Sequence, residues 1–362
     1  MKVLFVSVLG LFVSCIGLYA RSQSPQDATA AASAGHRAFR EGNYREAERI
    51  YRGIWRSVQS DGASAADRVS VETSLAQVLL AEGMLRESEA LFDDALKLAN
   101  DARVAGDTRI ALLSNLSALY LATDRPGRAE SLLTEAAKLF PKETQTPLTM
   151  NVLKNLGAAY AMTGRPKAAE RELKKALAIG AKAPGVEPDD VATVLTSLGA
   201  VYVIRKDWSK AEKMLRQAVS VLEEAYGPNH SGISKALSNL GQMYAKRGDF
   251  VPAEQALRQS MSIVQHASGM DSFDMSMVEA SLAVVVVRQG RLQEAKALLE
   301  SALPVQERVL GAMSLDYLTT LEDYAWVLRR TEDVAHAEAM ESRAKDIRAE
   351  LTFTVRAENL RK

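Results

Sequence analysis

Histidine, cysteine and paired carboxylates are the side chains best suited to catalysis or metal binding, and their spacing here points away from both. The four histidines, His36, His230, His266 and His336, lie far apart in the chain. None has a second histidine at the separation a shared metal ion needs. The stretch "HAEAM" at 336–340 fails the His-Glu-x-x-His pattern at its second and fifth positions, so it cannot supply a zinc pair with a general base between them. "GASAA" from Gly62 starts like a nucleophile elbow around Ser64, but it lacks the second glycine and a preceding strand. Asp93-Asp94 and Asp189-Asp190 fall near expected helix ends, where carboxylates cap or stay solvated. With no glycine-rich phosphate loop either, the expectation is no catalytic residue, no metal site, no cofactor and no enzyme activity.

The elements that remain must build something other than an active site. The 362 residues are 47% hydrophobic and 25% charged, enough to bury a sizeable core. Aromatic residues make up only 6%, and Ala, Leu, Glu, Lys and Arg dominate, a bias toward helix. Lys and Arg balance Asp and Glu at 45 each, so there is no overall field to draw nucleic acid, and no nucleic-acid partner is expected.

"MKVLFVSVLGLFVSCIGLYA", residues 1–20, has one early lysine and then an uncharged apolar run, followed by polar "RSQSPQDA". That is the layout of an export signal. Cleavage after Ala20 is one reading, and an uncleaved membrane anchor is a second. A third treats "FVSC" as a lipobox, with Cys15 as the lipidated residue. All three predict an exported chain, periplasmic or secreted, with membrane attachment through the N-terminus only. Cys15 is the sole cysteine, so stability comes from packing and not from disulfides.

A motif then repeats along the chain. An Ala-Glu pair or near equivalent stands at Ala47, Ser88, Ala129, Ala169, Ala211, Ala253, Ala295 and Ala337, in steps of 40 to 42 residues. Thirteen residues earlier come Ala34, Leu75, Leu116, Leu156, Leu198, Leu240, Leu282 and Tyr324, each followed by Gly, Ala or Ser. Such a period marks a repeat solenoid. In the sixth unit Ile233, Leu237, Leu240, Gly241 and Tyr244 share one arc of a helix. Gly248 suits the left-handed turn that ends it, and Phe250, Ala253, Leu257 and Met261 line a second helix. No unit buries its outer stripe alone, so stacking is compulsory.

"LGAAYAMTGRPKAAERELKKALAI" and "LGQMYAKRGDFVPAEQALRQSM" resemble tetratricopeptide repeats, and the step of about 42 resembles the long-repeat, kinesin light chain-like subtype. The resemblance implies an all-α fold, a right-handed superhelical α-solenoid of about eight helix-turn-helix repeats over 28–350. Residues 21–27 form a linker and 351–362 a C-terminal tail. It departs from the family pattern at Asp124, Lys206 and Glu332, where a turn glycine is expected, and at both terminal repeats.

The resemblance also places the first helix of each pair on the concave side. The residue before the Leu position is Ser33, Ser74, Asn115, Asn155, Ser197, Asn239, Ser281 and Asp323, small and hydrogen-bonding in all eight. Two causes fit: convergence of first helices that admits only short side chains, or a ladder that holds the backbone of a bound peptide. The peptide-binding groove expected from this stripe comprises Asn115, Asn155, Ser197, Asn239, Gln242, Lys246, Ser281, Arg288, Asp323 and Arg330. Repeats three to five offer an apolar floor (Ala118, Ala122, Ala158, Met162, Ala200, Ile204). Repeats six to eight offer a basic end with Lys235 and Trp326. The cations beside asparagine that the family uses to clamp a free carboxylate are read as missing from repeats three to five. The function expected is a non-catalytic scaffold or adaptor with a protein or peptide partner. The alternative is a structural component of an envelope or secretory assembly that uses its convex face or ends.

Overall fold

The computed structural model describes residues 25–360 except 61, 142, 143 and 271, with the side chains of 30–351 other than 60 and 268. The export-signal segment and Cys15 lie outside the described residues. Among those described there are sixteen helices and no strand. Of the described residues, those up to Val221 form one compact unit and those from Leu222 on form another. The N-terminal unit pairs α1 (Pro25–Arg40) with α2 (Tyr44–Ser60), α3 (Ala65–Ala81) with α4 (Leu85–Asp101), and α5 (Gly106–Ala122) with α6 (Pro126–Leu139). It continues with α7 (Pro147–Met162), α8 (Pro166–Gly180) and α9 (Pro188–Ile204), and α10 (Trp208–Tyr226) contains the boundary. The C-terminal unit pairs α11 (Ser231–Arg247) with α12 (Phe250–Ser268), α13 (Phe273–Arg288) with α14 (Leu292–Leu310), and α15 (Leu315–Arg330) with α16 (Val334–Leu360). Helix α1 thus begins inside the expected linker, and α16 runs through most of the expected tail.

Local chemistry starts and stops these helices. Ser64, Thr146, His230, Ser272 and Ser314 each accept a backbone N–H in the first turn of α3, α7, α11, α13 and α15, satisfying a donor that the helix leaves open. Each first helix ends in a left-handed residue. In the sixth repeat it is Gly248, φ 97°, and the next amide, Asp249 N–H, donates to Tyr244 O at 2.9 Å. Asp124, Lys206 and Glu332 adopt the same conformation, with φ 53°, 57° and 64°. The amides after them close the same loop onto Tyr120, Tyr202 and Leu328. The three departures from glycine therefore keep the turn, at a cost of roughly 1–2 kcal/mol each in backbone strain.

Within each repeat the two helices approach at the small position. A Cβ on Gly241 would lie 2.6 Å from Leu257 Cγ and 3.1 Å from Ala253 O, and Gly157 and Gly199 face Leu173 and Leu215 as closely. The alanine of every Ala-Glu pair is fully buried, as is Ser88, the one serine there. Ser88 is accommodated because its Oγ donates to Ala76 O at 2.7 Å, which satisfies a hydroxyl that would otherwise be buried unpaired.

Between repeats, the acid of the Ala-Glu pair meets a cation on the next turn. In the N-terminal unit Glu89 pairs with Arg125 at 2.5 Å, Glu130 with Arg165, and Glu170 with Arg205. Arg125 and Arg165 also stack over Tyr120 and Tyr160, at 4.6 and 4.5 Å from the ring centroids. In the C-terminal unit Glu254 meets Arg291 at 2.6 Å. The next rung is reversed: Lys296 replaces the glutamate, Asp333 replaces the arginine, and they pair at 2.9 Å. Complementary charge is therefore kept while the residue types exchange.

Two outcomes follow. Gly241→Val overpacks α11 against α12 and costs about 1–3 kcal/mol, measurable as a lower Tm in circular dichroism. Lys296→Glu and Asp333→Arg each weaken the C-terminal unit, while the double variant recovers part of the loss in a urea-unfolding cycle.

Candidate functional site

Most of the row of small polar residues is covered by neighbouring helices. Ser74, Ser197 and Ser281 each donate from Oγ to the carbonyl four residues earlier, at 3.0, 2.9 and 2.9 Å. Asn239 does the same from Nδ2 to Lys235 O at 2.9 Å. Asn155 reaches across to the preceding first helix, where its Nδ2 donates to Ser114 O at 3.2 Å and faces Ser114 Oγ at 3.3 Å. Asn115, Asn155 and Asn239 are all buried, at 2%, 1% and 7% exposure. Ser33, in the terminal repeat, is exposed. Asp323 is largely enclosed, and burial pushes its carboxyl up to about 6, with the charge of Glu322 adding to the effect.

Accessible side chains on this stripe gather in the C-terminal unit. Gln242, Val284 and Trp326 hold the same position in three successive repeats, two residues after the Leu position. Val284 and Trp326 are 39% and 43% exposed, while Gln242 Nε2 donates to Ser281 Oγ at 3.1 Å and ties α11 to α13. One helical turn later stand Lys246, Arg288 and Arg330, all exposed, on the same face. Arg330 lies over the Trp326 ring, 4.3 Å from its centroid, a cation–π contact. Val284 is the member that the sequence reading passed over. Its spacing of 42 residues from Gln242 and Trp326 was the signal available.

Helix dipoles alone do not account for these cations. A cation near a helix C-terminus is favourable, yet α3, α5, α7 and α9 carry no basic residue in their last turn. Arginines of the C-terminal unit outside the stripe are engaged: Arg247 with Asp249 at 2.5 Å, Arg291 with Glu254, and Arg329 with Glu341 at 2.6 Å. Among the described residues Lys246, Arg288 and Arg330 make no ion pair.

In the N-terminal unit the corresponding positions hold Ala118, Ala158 and Ala200, all buried, with Ala122 and Ile204 exposed at the helix ends. Repeat four carries a cation after all. Lys154 sits next to Asn155, is 3% exposed, and is pushed down to about 8 by burial, against the pull of Asp190. Asn151, one turn before Asn155, is buried with neither amide atom hydrogen-bonded among the described residues. Asp189 is not simply a solvated helix-end residue, because Arg40 of the first repeat reaches it at 3.1 Å and Glu187 at 3.4 Å. No sequence pattern signals that meeting, since Arg40 and Asp189 lie 149 positions apart. Among the described residues no three His, Cys, Asp or Glu side chains converge as metal ligands.

Comparisons with known proteins agree with this architecture. A tetratricopeptide repeat model matches residues 190–266 and 274–350, and a second model of the same repeat matches 149–187. No curated protein sequence matches the chain. Among solved structures, a Rap protein complexed with Competence and Sporulation Factor is similar over 90% of this chain and 99% of its own, at 12% identity and TM-score 0.60. The apo form of RapI covers 90% and 98%, at 9% identity and TM-score 0.52. A putative kinesin light chain with TPR-like repeats from Podosopora anserina covers 57% and 98%, at 19% identity and TM-score 0.45. With eight helix pairs in steps of 40 to 42 residues and family models matching more than half of its length, the chain belongs to the tetratricopeptide repeat family, in its long-repeat form.

Proposed function

We propose that this chain is a non-catalytic protein-interaction scaffold that holds an extended peptide segment of a partner across the first helices of its C-terminal unit. The observation that carries the reading is the register of accessible side chains on α11, α13 and α15: Gln242 with Lys246, Val284 with Arg288, Trp326 with Arg330. A segment lying across the three helices meets the same pair of positions once per repeat. Exposed apolar surface beside cations without ion-pair partners favours a segment with apolar side chains and carboxylates. The Rap protein solved with Competence and Sporulation Factor has a similar fold, which supports a solenoid of this kind accommodating a partner. Asn115, Asn155 and Asn239 act in this reading as supports that space the first helices, with Ser197, Ser281 and Asp323 in equivalent places.

We further propose that the scaffold is exported. The support is the uncharged apolar run that follows Lys2 within residues 1–20 and the polar stretch after it. Any membrane attachment would then fall to the N-terminus.

Peptides selected from a random displayed library on the full chain, then measured by fluorescence polarisation, test the first proposal. Trp326→Ala weakens their binding roughly tenfold, and Arg288→Glu with Arg330→Glu shifts preference from Glu-containing to Lys-containing versions. Recovery of no binding peptide, or of peptides indifferent to both variants, rejects it. Asn155→Ala is unsuitable as the probe, because losing the bond to Ser114 costs about 1 kcal/mol of stability. For export, intact-mass analysis of the protein from cell fractions is expected to find a mature chain starting at Arg21 outside the cytoplasm. A full-length, unmodified cytoplasmic chain rejects that proposal.

A further inference from the structure

The stripe on the first helices carries a cation in the first repeat as well. Where α11, α13 and α15 have Gln242 with Lys246, Val284 with Arg288 and Trp326 with Arg330, helix α1 has His36 with Arg40. Arg40 is engaged within the chain. Its guanidinium crosses to the start of α9 in the fifth repeat, with Nη2 3.1 Å from Asp189 Oδ2 and Nη1 3.4 Å from Glu187 Oε2. The chain's own carboxylates therefore occupy the stripe position that the C-terminal unit leaves open.

The local structure favours this crossing. Residues 181–187 join α8 to α9, a longer connection than the 102–105 that joins α4 to α5, and its acidic end can extend toward α1. Glu187 is the N-cap residue of α9, yet its side chain accepts no backbone amide there; its carboxylate is turned to Arg40 instead. On the helices between, the residue two after the Leu position shrinks to Ala118, Ala158 and Ala200, all buried, so the first helices can close up. Asn151 and Lys154 of α7 are enclosed at 2% and 3% exposure, and neither amide atom of Asn151 is hydrogen-bonded among the described residues. An amide without partners and a buried ammonium are both costly to keep from water. The closed arrangement thus works against a gain in hydration that opening would release.

We propose that Arg40 with Glu187 and Asp189 is an autoinhibitory clasp, which shuts the stripe of the N-terminal unit from the first repeat to the fifth and on release uncovers α7 at Asn151 and Lys154. The three side chains are 27%, 49% and 28% exposed, so salt screens the clasp and other carboxylates can compete for Arg40. Asp190, beside Asp189, feels the charges of both Arg40 and Lys154, in keeping with a buried lysine close behind the clasp. The clasp lies wholly in the N-terminal unit and stands whether or not α11, α13 and α15 hold a peptide.

Acetylation of the full chain with an N-hydroxysuccinimide ester, followed lysine by lysine in mass spectrometry, tests the clasp. In the wild-type chain Lys154 is expected to react far more slowly than the exposed Lys167. Arg40→Glu should raise the Lys154 rate roughly fivefold and leave Lys167 unchanged. Adding Glu187→Arg and Asp189→Arg to that variant restores opposite charges and should slow Lys154 again. Raising sodium chloride from about 50 mM to about 1 M should speed Lys154 in the wild type but not in Arg40→Gln, an arm that needs no charge reversal. Hydrogen exchange of the second helices α4 and α6 should stay constant throughout, which separates opening from unfolding. The proposal is overturned if Lys154 stays as slow in Arg40→Glu as in the wild type, if the charge-swapped chain does not recover, if salt acts equally on Arg40→Gln, or if α4 and α6 lose protection in step with Lys154.

Discussion

The rest of the structure depends on the close approach of the two helices within each repeat. Leu173, Leu215 and Leu257 press on Gly157, Gly199 and Gly241 at distances that leave no room for a Cβ. That approach brings the alanine of the Ala-Glu pair into full burial and leaves the adjacent glutamate at the repeat boundary. From there it reaches the next turn and forms the ladder of ion pairs. Helix length, turn conformation and charge register are thus consequences of a single steric condition, repeated every 40 to 42 residues. A solenoid built this way tolerates exchange of the residues in a contact provided the contact is kept. The reversed Lys296–Asp333 pair and the left-handed Asp124, Lys206 and Glu332 are examples.

The same condition separates what the first helices do in the two units. In the N-terminal unit α3, α5 and α7 are buried along nearly their whole middle turns, and Thr73, Ser74, Ser117 and Asn155 donate to backbone carbonyls. In the C-terminal unit the corresponding helices keep an exposed row with Val284 and Trp326, and cations that no neighbour neutralises among the described residues. Burial keeps the amides of Asn115, Asn155 and Asn239 from the surface, and Asn155 and Asn239 donate internally. An exposed ring under a guanidinium remains available to a partner.

Much of the fold was legible in the sequence because its information is local. Small and apolar positions recur with a helical period inside each unit, and the units recur at a fixed step. Even the three turns without glycine follow the pattern, since a helix of the right length with the right hydrophobic face must turn at that point. The row of Ser, Asn and Asp was legible as a constrained position, but its meaning was not. Whether Asn155 faces a partner or Ser114 depends on how closely α5 and α7 converge, and the sequence states only that both residues are small.

By itself, then, the sequence determined the all-helical class, the period of the repeats, and the absence of any recognisable catalytic motif. Those properties rest on periodicity and on interactions within about four residues. Only the tertiary structure decided which members of the stripe are covered, that Lys154 is buried beside Asp190, and that Arg40 meets Glu187 and Asp189. Each of these depends on the distance between elements remote in the chain, a quantity set by the accumulated packing of several repeats and encoded in no single one of them.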